Sequence, residues 1–374
     1  MEFKVNSIEL EKLLNKIIPA VPTRTPMPIL ENFLFEIKNG LLTIYATDLE
    51  ISLKSSINVV SDENMSLVVP ARLLYDIIKS FPDTTVKFLT SNNKLNVITD
   101  FGTYTLGYIE ANEYPEIPSF PQKTDEDVQE ISMNGLELKK AFDKTSFAIG
   151  KEEMRPAMMG TLLELSDEGL RFVATDGHRL VNLLNKKITS QGLIQYIVPE
   201  KAISVLQKIL DEKDAKLYLS KSHISFKLSD IELITRLIGQ KYPDFKGVIP
   251  LENEFSLQVK TKEIHDAIRR MLLFATTSTR RVKFSISASA IDISAEDIDL
   301  GSSANESVMC KYNGEPLEIG FNAGYVNDIL SHMQPEKEVV FKLNSPTKAA
   351  IVVPSEEKET EELMMLLMPV RLNS

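Results

Sequence analysis

Asp176 and His178 lie one residue apart in the segment ATDGHRL (174–180), and a carboxylate beside an imidazole could form an acid–base pair. In hydrolases such a carboxylate orients the histidine, which then takes a proton from a serine or cysteine nucleophile. No serine or cysteine here has a recognisable nucleophile setting, and two similar segments carry bulky residues in place of Gly177. We therefore expect His178 to lie in a turn or in the core and to have no catalytic role. An enzyme that uses Asp176 and His178 ranks third among the functions that the sequence suggests.

One aspartate recurs at the same place in the three segments, as Asp48, Asp176 and Asp297. Three metal sites are conceivable, but one carboxylate makes a poor cation site, because Ca²⁺ and Mg²⁺ need several oxygen ligands. Cys310 is the only cysteine, which excludes a disulfide within one chain and leaves too few thiolates for a cysteine-based zinc site. We expect no metal, and we expect the aspartate to form a turn.

The three aspartates belong to a repeat. Each segment alternates apolar and polar residues, reaches Ala-x-Asp and then resumes the alternation, which is typical of two half-buried strands joined by a turn. The segments are LTIYATDLEISL (42–53), LRFVATDGHRLV (170–181) and IDISAEDIDLGS (291–302).

Two helices accompany each copy at nearly constant spacing, with the apolar stripes of amphipathic helices. The first helix of each copy is predicted within 7–21, 134–149 and 260–275, and the second within 70–81, 199–210 and 322–333. Pro70 and Pro199 suit the first helical turn, and Asn322 suits an N-cap. The stripe of the 70–81 helix is expected to contain Leu73, Leu74, Ile77, Ile78 and Phe81.

These features recur in one order: a strand, a helix, three strands, a second helix and several further strands, in about 120 residues. A period this long is typical of separate domains with their own cores, not of a solenoid. The Pro-rich segments EYPEIP (113–118) and KYPDFKGVIP (241–250) suit linkers. We predict an α+β fold of three tandem domains, at 1–121, 128–247 and 250–374, each with two helices packed on antiparallel sheets.

The three copies suggest a closed assembly. Tandem domains related by a constant rotation form an arc, and an arc with complementary ends closes by self-association. Neighbouring sheets that join edge to edge would cover their exposed edges and leave the helices inside. The sequence therefore favours a dimeric ring of six domains.

The net charge of −11 argues against a nucleic-acid partner, because phosphate binding normally needs a basic face. The predicted helices are nevertheless rich in lysine and arginine, whereas acidic residues gather at 124–130, 292–299 and 356–362. A basic lumen inside an acidic exterior would attract phosphates. The alternative is that these lysines only solvate exposed helix faces.

The chain shows no sequence signal for export or membrane insertion. Its N-terminal sequence MEFKVNSIEL lacks a basic region followed by an apolar run, and the apolar stretch 363–370 is too short to span a bilayer. A single reduced cysteine fits the cytosol. We expect a cytoplasmic protein with no membrane partner.

The chain resembles the β sliding clamps, the β subunits of bacterial DNA polymerase III. The resemblance covers the whole chain in order, and ATDGHRL together with the near-terminal MPVRL is its most specific part. Other matching segments are MPIL (27–30), ATDLE (46–50), PAR (70–72), RPAxxG (155–160), YPDF (242–245) and GFNAxY (320–325). The resemblance implies a head-to-tail homodimeric ring that slides on double-stranded DNA without reading its sequence, with no catalysis and no cofactor.

The resemblance also implies a peptide-binding cleft for DNA polymerase subunits, the clamp loader and repair proteins. Apolar walls suit short extended peptides with one polar and several apolar anchors. The cleft residues that it implies are Thr175, Gly177, His178, Arg179, Leu180, Pro243, Val248, Asn322, Tyr325, Met368, Pro369, Val370, Arg371 and Leu372. Gly247, where some relatives have an arginine, and the terminal Asn373 and Ser374 depart from the pattern and bear on peptide preference.

For the DNA path, Arg24 on the loop after the first helix is the first choice, followed by helix cations and, more weakly, the loop 151–155. The residues predicted to contact DNA are Arg24, Lys12, Lys16, Lys79, Lys140, Lys144, Lys201, Arg155 and Arg269. At the dimer seam, Tyr104 and Leu106 are expected to meet Leu273 and Phe274, unless all four belong to domain cores. The runner-up function is a scaffold with the same repeat that never encircles DNA.

Overall fold

Every copy of the repeat folds with the same order of elements: a strand, a helix, four strands, a second helix and three strands. The computed structural model describes residues 2–91, 94–117, 120 and 128–372. The first copy ends with one additional short strand. Its elements are β1 (Glu2–Asn6), α1 (Ser7–Ile17), β2 (Asn32–Lys38), β3 (Leu41–Thr47), β4 (Ile51–Asn58), β5 (Met65–Pro70), α2 (Ala71–Lys79), β6 (Thr85–Ser91), β7 (Lys94–Thr99), β8 (Gly102–Gly107) and β9 (Ile109–Glu110).

The second and third copies repeat this order. The second has β10 (Gln129–Asn134), α3 (Gly135–Thr145), β11 (Gly160–Leu165), β12 (Leu170–Thr175), β13 (Arg179–Asn185), β14 (Ile194–Pro199), α4 (Glu200–Ile209), β15 (Asp214–Leu219), β16 (His223–Lys227) and β17 (Ile231–Arg236). The third has β18 (Phe255–Lys260), α5 (Thr261–Met271), β19 (Arg281–Ile286), β20 (Ala290–Asp297), β21 (Ser302–Tyr312), β22 (Leu317–Asn322), α6 (Ala323–Ser331), β23 (Glu338–Leu343), β24 (Ala350–Pro354) and β25 (Glu361–Leu367).

The prediction of three strands between the two helices was wrong, because each copy has four. The fourth strand, which is β5, β14 or β22, runs directly into the second helix without a turn. Pro70 and Pro199 end strands β5 and β14, so they precede the first helical turn instead of lying in it. The N-cap prediction is confirmed, because the Asn322 side chain accepts from the backbone N–H groups of Gly324 and Tyr325.

The described chain divides into two compact units whose borders fall within the second copy. One unit comprises 1–139 and 201–237, and the other comprises 140–200 and 238–374. Each unit therefore contains a whole terminal copy together with part of the second copy.

The first unit contains two antiparallel sheets. One has the strand order β1-β6-β7-β8, and the other has the order β10-β15-β16-β17-β4-β3-β2-β5-β9. The nine-stranded sheet passes from the first copy to the second where β4 pairs with β17, with Leu53 opposite Leu233. Helices α1 and α2 pack against each other, and the Tyr75 hydroxyl donates to Asn15 Oδ1 at 2.9 Å.

Within α2, Leu74, Ile78 and Phe81 beyond its end are buried as predicted, but Leu73 is 52% exposed. The apolar stripe is therefore narrower than the sequence pattern indicates.

The second unit is built on one antiparallel sheet of twelve strands, in the order β14-β11-β12-β13-β25-β24-β23-β18-β21-β20-β19-β22. This sheet passes from the second copy to the third where β13 pairs with β25, with Val181 opposite Met365. Helices α5 and α6 pack together, and His265 Nε2 lies 3.2 Å from Asn327 Oδ1. The edge-to-edge joining of sheets is thus confirmed at both borders between copies.

The Tyr-Pro steps fix the predicted linkers to the sheets. The Tyr114 hydroxyl donates to Asn32 O, and the Tyr242 hydroxyl donates to Val173 O, each at 3.3 Å. Burial raises the pKa of Tyr114 to about 12 and raises the pKa of Tyr242 well above its usual range. Both tyrosines therefore act as neutral, buried anchors.

Candidate functional site

The second unit contains an apolar cavity of about 610 Å³ beside the turn between β12 and β13. Its floor includes Leu180, Phe245 and Leu366, which belong to one buried hydrophobic cluster. The cavity is lined by Met158, Thr175, Gly177, Arg179, Leu180, Pro243, Asp244, Phe245, Val248, Pro250, Leu251, Glu252, Lys348, Ala349, Leu366 and Met368. A concave, largely apolar site with a few polar groups is typical of a ligand-binding pocket.

Asp176 shapes the turn at the cavity edge. Its Oδ1 accepts from the backbone N–H groups of His178 at 2.9 Å and Arg179 at 3.0 Å, and its Oδ2 accepts from Arg179 Nε at 3.0 Å. Both carboxylate oxygens are therefore engaged, and neither orients the His178 ring. Asp48 and Asp297 each accept from two backbone N–H groups in the same way, which confirms the turn-forming role of the repeated aspartate.

The backbone at Gly177 has a φ of 88°, and Leu49 has a φ of 75° at the equivalent place in the first copy. This left-handed conformation suits glycine and strains a leucine. A β-carbon on Gly177 would lie 3.1 Å from a guanidinium nitrogen of Arg155, whereas Leu49 is a large exposed side chain.

Arg179 connects the turn to the third copy. Its guanidinium lies over the rings of Phe147 and Tyr325, at 5.2 and 4.6 Å from their centroids. Nη1 pairs with Asp328 Oδ2 at 2.5 Å, and Nη2 donates to Phe147 O at 2.6 Å. Because Arg179 is only 8% exposed and each of its three guanidinium nitrogens donates a hydrogen bond, it holds the wall in place more than it presents a free donor.

A second cavity of about 470 Å³ shares Met158 and Arg179 with the first. His178 and Tyr325 line it, with stacked rings 6.0 Å apart. The pKa of Tyr325 is raised by burial and by the nearby Asp176 carboxylate, so its hydroxyl stays neutral. The predicted residues His178, Arg179 and Tyr325 thus come together here.

The C-terminal tail continues past β25 along the edge of the cavity. Met368 N donates to His178 O, and Val370 N donates to Gly320 O on β22, both at 2.9 Å. Of the predicted tail residues only Met368 lines a cavity, and Asn322 and 369–372 line neither of the two described. Asn322 acts instead as the helix cap, and the terminal Asn373 and Ser374 lie outside the described residues.

Sequence reasoning missed much of the cavity lining. Met158 is the last residue of a short 3-10 turn, Leu366 lies on β25, and the others lie in loops whose approach depends on the tertiary fold. The missed residues are Met158, Asp244, Phe245, Pro250, Leu251, Glu252, Lys348, Ala349 and Leu366. The apolar stretch 363–370 was the one available signal, because it runs on into the predicted tail.

One wall of the cavity is a 3-10 turn, Lys246–Val248, and a buried acid holds it. Glu164 is 2% exposed, and it accepts from Gln195 Nε2 at 2.7 Å and pairs with Lys246 Nζ at 3.1 Å. Arg171 Nε lies 3.5 Å from the same carboxylate. Val248 and Phe245 are therefore presented by an anchored segment.

Several cations predicted for a DNA path are paired with acids. Lys16 pairs with Asp230 at 2.5 Å, Lys144 pairs with Glu361, and Lys201 pairs with Asp48 and Glu50. Lys16 and Lys144 are the last-but-one residues of α1 and α3, and each reaches an acid of the following copy. These three lysines connect neighbouring copies.

The remaining predicted cations are exposed. Arg155 lies 3.5 Å from Glu152, and Lys79 lies over the Tyr75 ring. Among the residues that the structure describes, Arg24, Lys12 and Lys140 form no ion pair, whereas Arg269 interacts electrostatically with Asp266, the partner of Lys262.

The predicted seam residues differ in exposure. Leu106 is buried in its own sheet, and Tyr104 packs on the Phe81 ring at 5.3 Å. Leu273 is 80% exposed and Phe274 is 37% exposed. None of the helices in the described part of the chain is long and apolar enough to cross a membrane.

Comparison with known proteins gives matches along the full length of the chain. Residues 1–118, 132–244 and 246–371 match the N-terminal, central and C-terminal domains of the DNA polymerase III beta subunit. The chain is 31% identical to the beta sliding clamp of Pseudomonas aeruginosa over 378 residues, which cover 100% of both chains. The crystal structure of the DNA polymerase III beta subunit from that organism superposes with a TM-score of 0.92 at 30% identity, covering 100% of each chain. The DNA polymerase sliding clamp of Bacillus subtilis superposes with a TM-score of 0.91 at 26% identity, also over 100% of each chain. The chain therefore belongs to the DNA polymerase III beta subunit family, the beta sliding clamps.

Proposed function

We propose that this protein is a non-catalytic sliding clamp: two chains close head to tail into a ring around double-stranded DNA, and each chain tethers DNA polymerase, clamp-loader and repair proteins through its cleft. It requires no cofactor, and it works in the cytoplasm at the nucleoid. The domain borders that we propose are 1–121, 128–247 and 250–374, and the family matches at 1–118, 132–244 and 246–371 support them.

Two unpaired strand edges carry the proposal of a ring. Strand β8 is the last strand of its sheet, and in the described part of the chain it pairs with β7 alone. Strand β21 pairs with β20 along residues 302–309 but with β18 at its far end, through Cys310, Lys311 and Tyr312. Within the described residues one edge of 302–309 is therefore open. An open edge invites another strand, and a second chain supplies β8.

The two joints inside the chain predict the register of this pairing. The repeated Ala-x-Asp begins with Ala46, Ala174 and Ala295, and these alanines lie opposite Leu53, Val181 and Ala304 in turn. Leu53 and Val181 are the residues through which the sheets join from copy to copy, so Ala304 is their equivalent in the third copy. Leu53 lies opposite Leu233 and Val181 lies opposite Met365. Strands β8, β17 and β25 are equivalent, because each is the third strand outward from the first strand of its copy. In the register of these pairings, Tyr104 of β8 is the equivalent of Leu233 and Met365. We therefore expect Tyr104 of one chain opposite Ala304 of the other.

A disulfide cross-link tests this register. In a background with Cys310→Ser, the variant Tyr104→Cys with Ala304→Cys is expected to give a covalent dimer on mild oxidation, because directly opposed residues in an antiparallel pair meet the distance requirement. Thr105→Cys with Ala304→Cys is the matched control, since Thr105 points to the other face of the sheet. Equal yields from both variants, or a protein that stays monomeric at micromolar concentration, would contradict the seam.

The end of α5 is expected to complete the seam. Arg270 is its last-but-one residue, the place held by Lys16 in α1 and Lys144 in α3. In the single chain Arg270 Nε donates to Glu306 Oε2 at 2.9 Å. Since Lys16 and Lys144 each pair with an acid of the following copy, we expect Arg270 to lie near the partner subunit's Asp100 in the dimer. The exposed Leu273 is then expected to pack near the end of the partner's α2.

Encirclement of DNA has a topological test. A closed ring is expected to remain on a nicked circular DNA and to slide off after the DNA is linearised. Retention is held by topology, so it needs only weak, sequence-blind contacts from exposed cations such as Arg24, Lys12, Lys140 and Arg269. Equal retention on circular and linear DNA would overturn the clamp function.

The cleft is proposed to bind extended peptides. The apolar cavity accepts aliphatic and aromatic anchors, and the adjoining cavity with His178 and Tyr325 offers polar partners. Deletion of 368–374 removes Met368 and the bonds to His178 and Gly320, so it is expected to abolish peptide binding and leave dimerisation intact. Unchanged peptide affinity would contradict the assignment.

A further inference from the structure

Leu251 is 96% exposed although it lines the same cavity as Thr175 and Leu180. Single exposed leucines are common on protein surfaces, but this one adjoins other exposed apolar side chains of the cavity wall. Val248 is 57% exposed and Met368 is 42% exposed. The cavity wall therefore continues as an apolar surface onto the segment 250–252.

Side-chain amides hold this segment in place. Asn253 Nδ2 donates to Lys342 O and Ala349 O, both at 2.9 Å, and Asn344 Nδ2 donates to Glu252 O at 2.6 Å. An exposed leucine on an anchored backbone loses little entropy when a ligand covers it. In the part of the chain that the structure describes, no backbone bond is recorded for Leu251 itself, so its N–H and C=O are available to an extended chain.

A polar pair borders the leucine. Lys348 Nζ lies 3.1 Å from Glu252 Oε2, and both residues line the cavity. Leu251 is thus an exposed apolar residue next to a charged pair, which fits one apolar side chain of a partner better than a broad protein face.

We propose that Leu251 and the backbone of 250–252 form an additional subsite of the cleft, which binds one apolar side chain flanking the central segment of an extended partner peptide. This proposal rests on the peptide-binding function of the cleft. It makes Leu251 a specificity-determining residue that selects among partners by their flanking residue.

The test is a double-mutant cycle with a peptide selected from a library of extended peptides on the wild-type protein. Leu251→Ser is expected to weaken binding about five-fold, because it removes part of a leucine's apolar contact. One apolar residue of the peptide, when replaced by serine, is expected to cost about five-fold on the wild type and nothing on Leu251→Ser. Leu251→Met, which keeps the apolar surface, is expected to retain the affinity.

Two further variants separate the possible failures. Leu193→Ser, at another exposed leucine of the same unit that does not line the cavity, is expected to leave affinity unchanged. Val248→Ser, in the central wall, is expected to weaken binding of the same peptide. If Val248→Ser has no effect, or no peptide binds, the proposed function of the cleft is overturned. If Val248→Ser weakens binding but Leu251→Ser does not, or if no peptide residue couples to Leu251, only the additional subsite is overturned.

Discussion

Gly320 lies so close to Val370 that a β-carbon on the glycine would stand 2.7 Å from the carbonyl oxygen of Val370. The Val370 N–H donates to the Gly320 carbonyl at 2.9 Å, so the tail and β22 are bonded at the same point. A side chain of Leu372 lies 2.8 Å from the same β-carbon position. The tail therefore rests against β22 because residue 320 has no side chain.

We expect Gly320→Ala to displace the tail and to weaken peptide binding roughly ten-fold, equivalent to about 1.4 kcal/mol. Hydrogen exchange at 368–372 and peptide titration measure the two effects. Gly239→Ala is the control, because among the described residues, its two chain neighbours aside, no heavy atom lies within 4 Å of its β-carbon position. Unchanged tail protection in Gly320→Ala would contradict the close approach.

Arg179→Lys is expected to destabilise the protein by about 2 kcal/mol although it keeps the charge. A lysine cannot bond Asp176, Asp328 and Phe147 O together or stack between two rings as the guanidinium does. Urea unfolding measures the loss. Arg269→Lys, at an exposed arginine, is expected to change stability little, and equal effects of the two would argue against the anchoring role.

Lys12 and Lys16 lie one turn apart on α1 but are expected to behave differently. Lys12→Gln is expected to reduce the salt dependence of DNA binding and to leave stability unchanged. Lys16→Gln removes the partner of Asp230, so it is expected to cost about 0.5 kcal/mol, the scale of a partly exposed ion pair. Salt titrations of DNA binding and urea unfolding distinguish them, and a reversed pattern would mean that Lys16 is the DNA contact.

Asp230 gives a pH dependence with a defined sign. Burial alone would raise its pKa, but the bonds from Lys16 and Ser229 outweigh burial and hold the pKa below its ordinary value. Such a carboxylate contributes stability above its unfolded pKa of about 3.9 and loses that contribution as the pH falls through the lowered folded value.

Asp230→Asn is therefore expected to reduce the loss of stability between about pH 6 and pH 3. Asp62→Asn, at an exposed aspartate, is expected to leave that loss unchanged. Unfolding curves at the two pH values measure the difference, and identical pH profiles for Asp230→Asn and the wild type would contradict the role of the pair.

The sequence predicted the elements that carry their own local signal. The apolar stripes of α1 and α5, the Asn322 cap and the repeated aspartate turn all depend on nearby residues, and the structure has them. Strand β5 was missed because its six residues run without a break into α2. Leu73 was assigned to the core because a stripe predicts a face but not how wide a face the neighbouring sheet covers.

The candidate site was predictable only where motif residues line it. Thr175, Gly177 and Leu180 follow from the ATDGHRL motif. Leu251 and Lys348 lie far apart in sequence, in loops that meet only in the folded unit, so no spacing could predict them. The lysines were ambiguous for the same reason: Lys16 and Lys12 look alike until the fold brings Asp230 to one of them.

Because two of the sheets continue across the borders between copies, the repeated segment and the compact folded unit have different borders. The repeated segment begins at β1, β10 or β18, but hydrogen bonding joins β4 to β17 and β13 to β25. A second copy expressed alone would lack the strands that complete both of its outer edges. Cooperative unfolding should therefore follow the two compact units, and a single repeated segment should not fold autonomously.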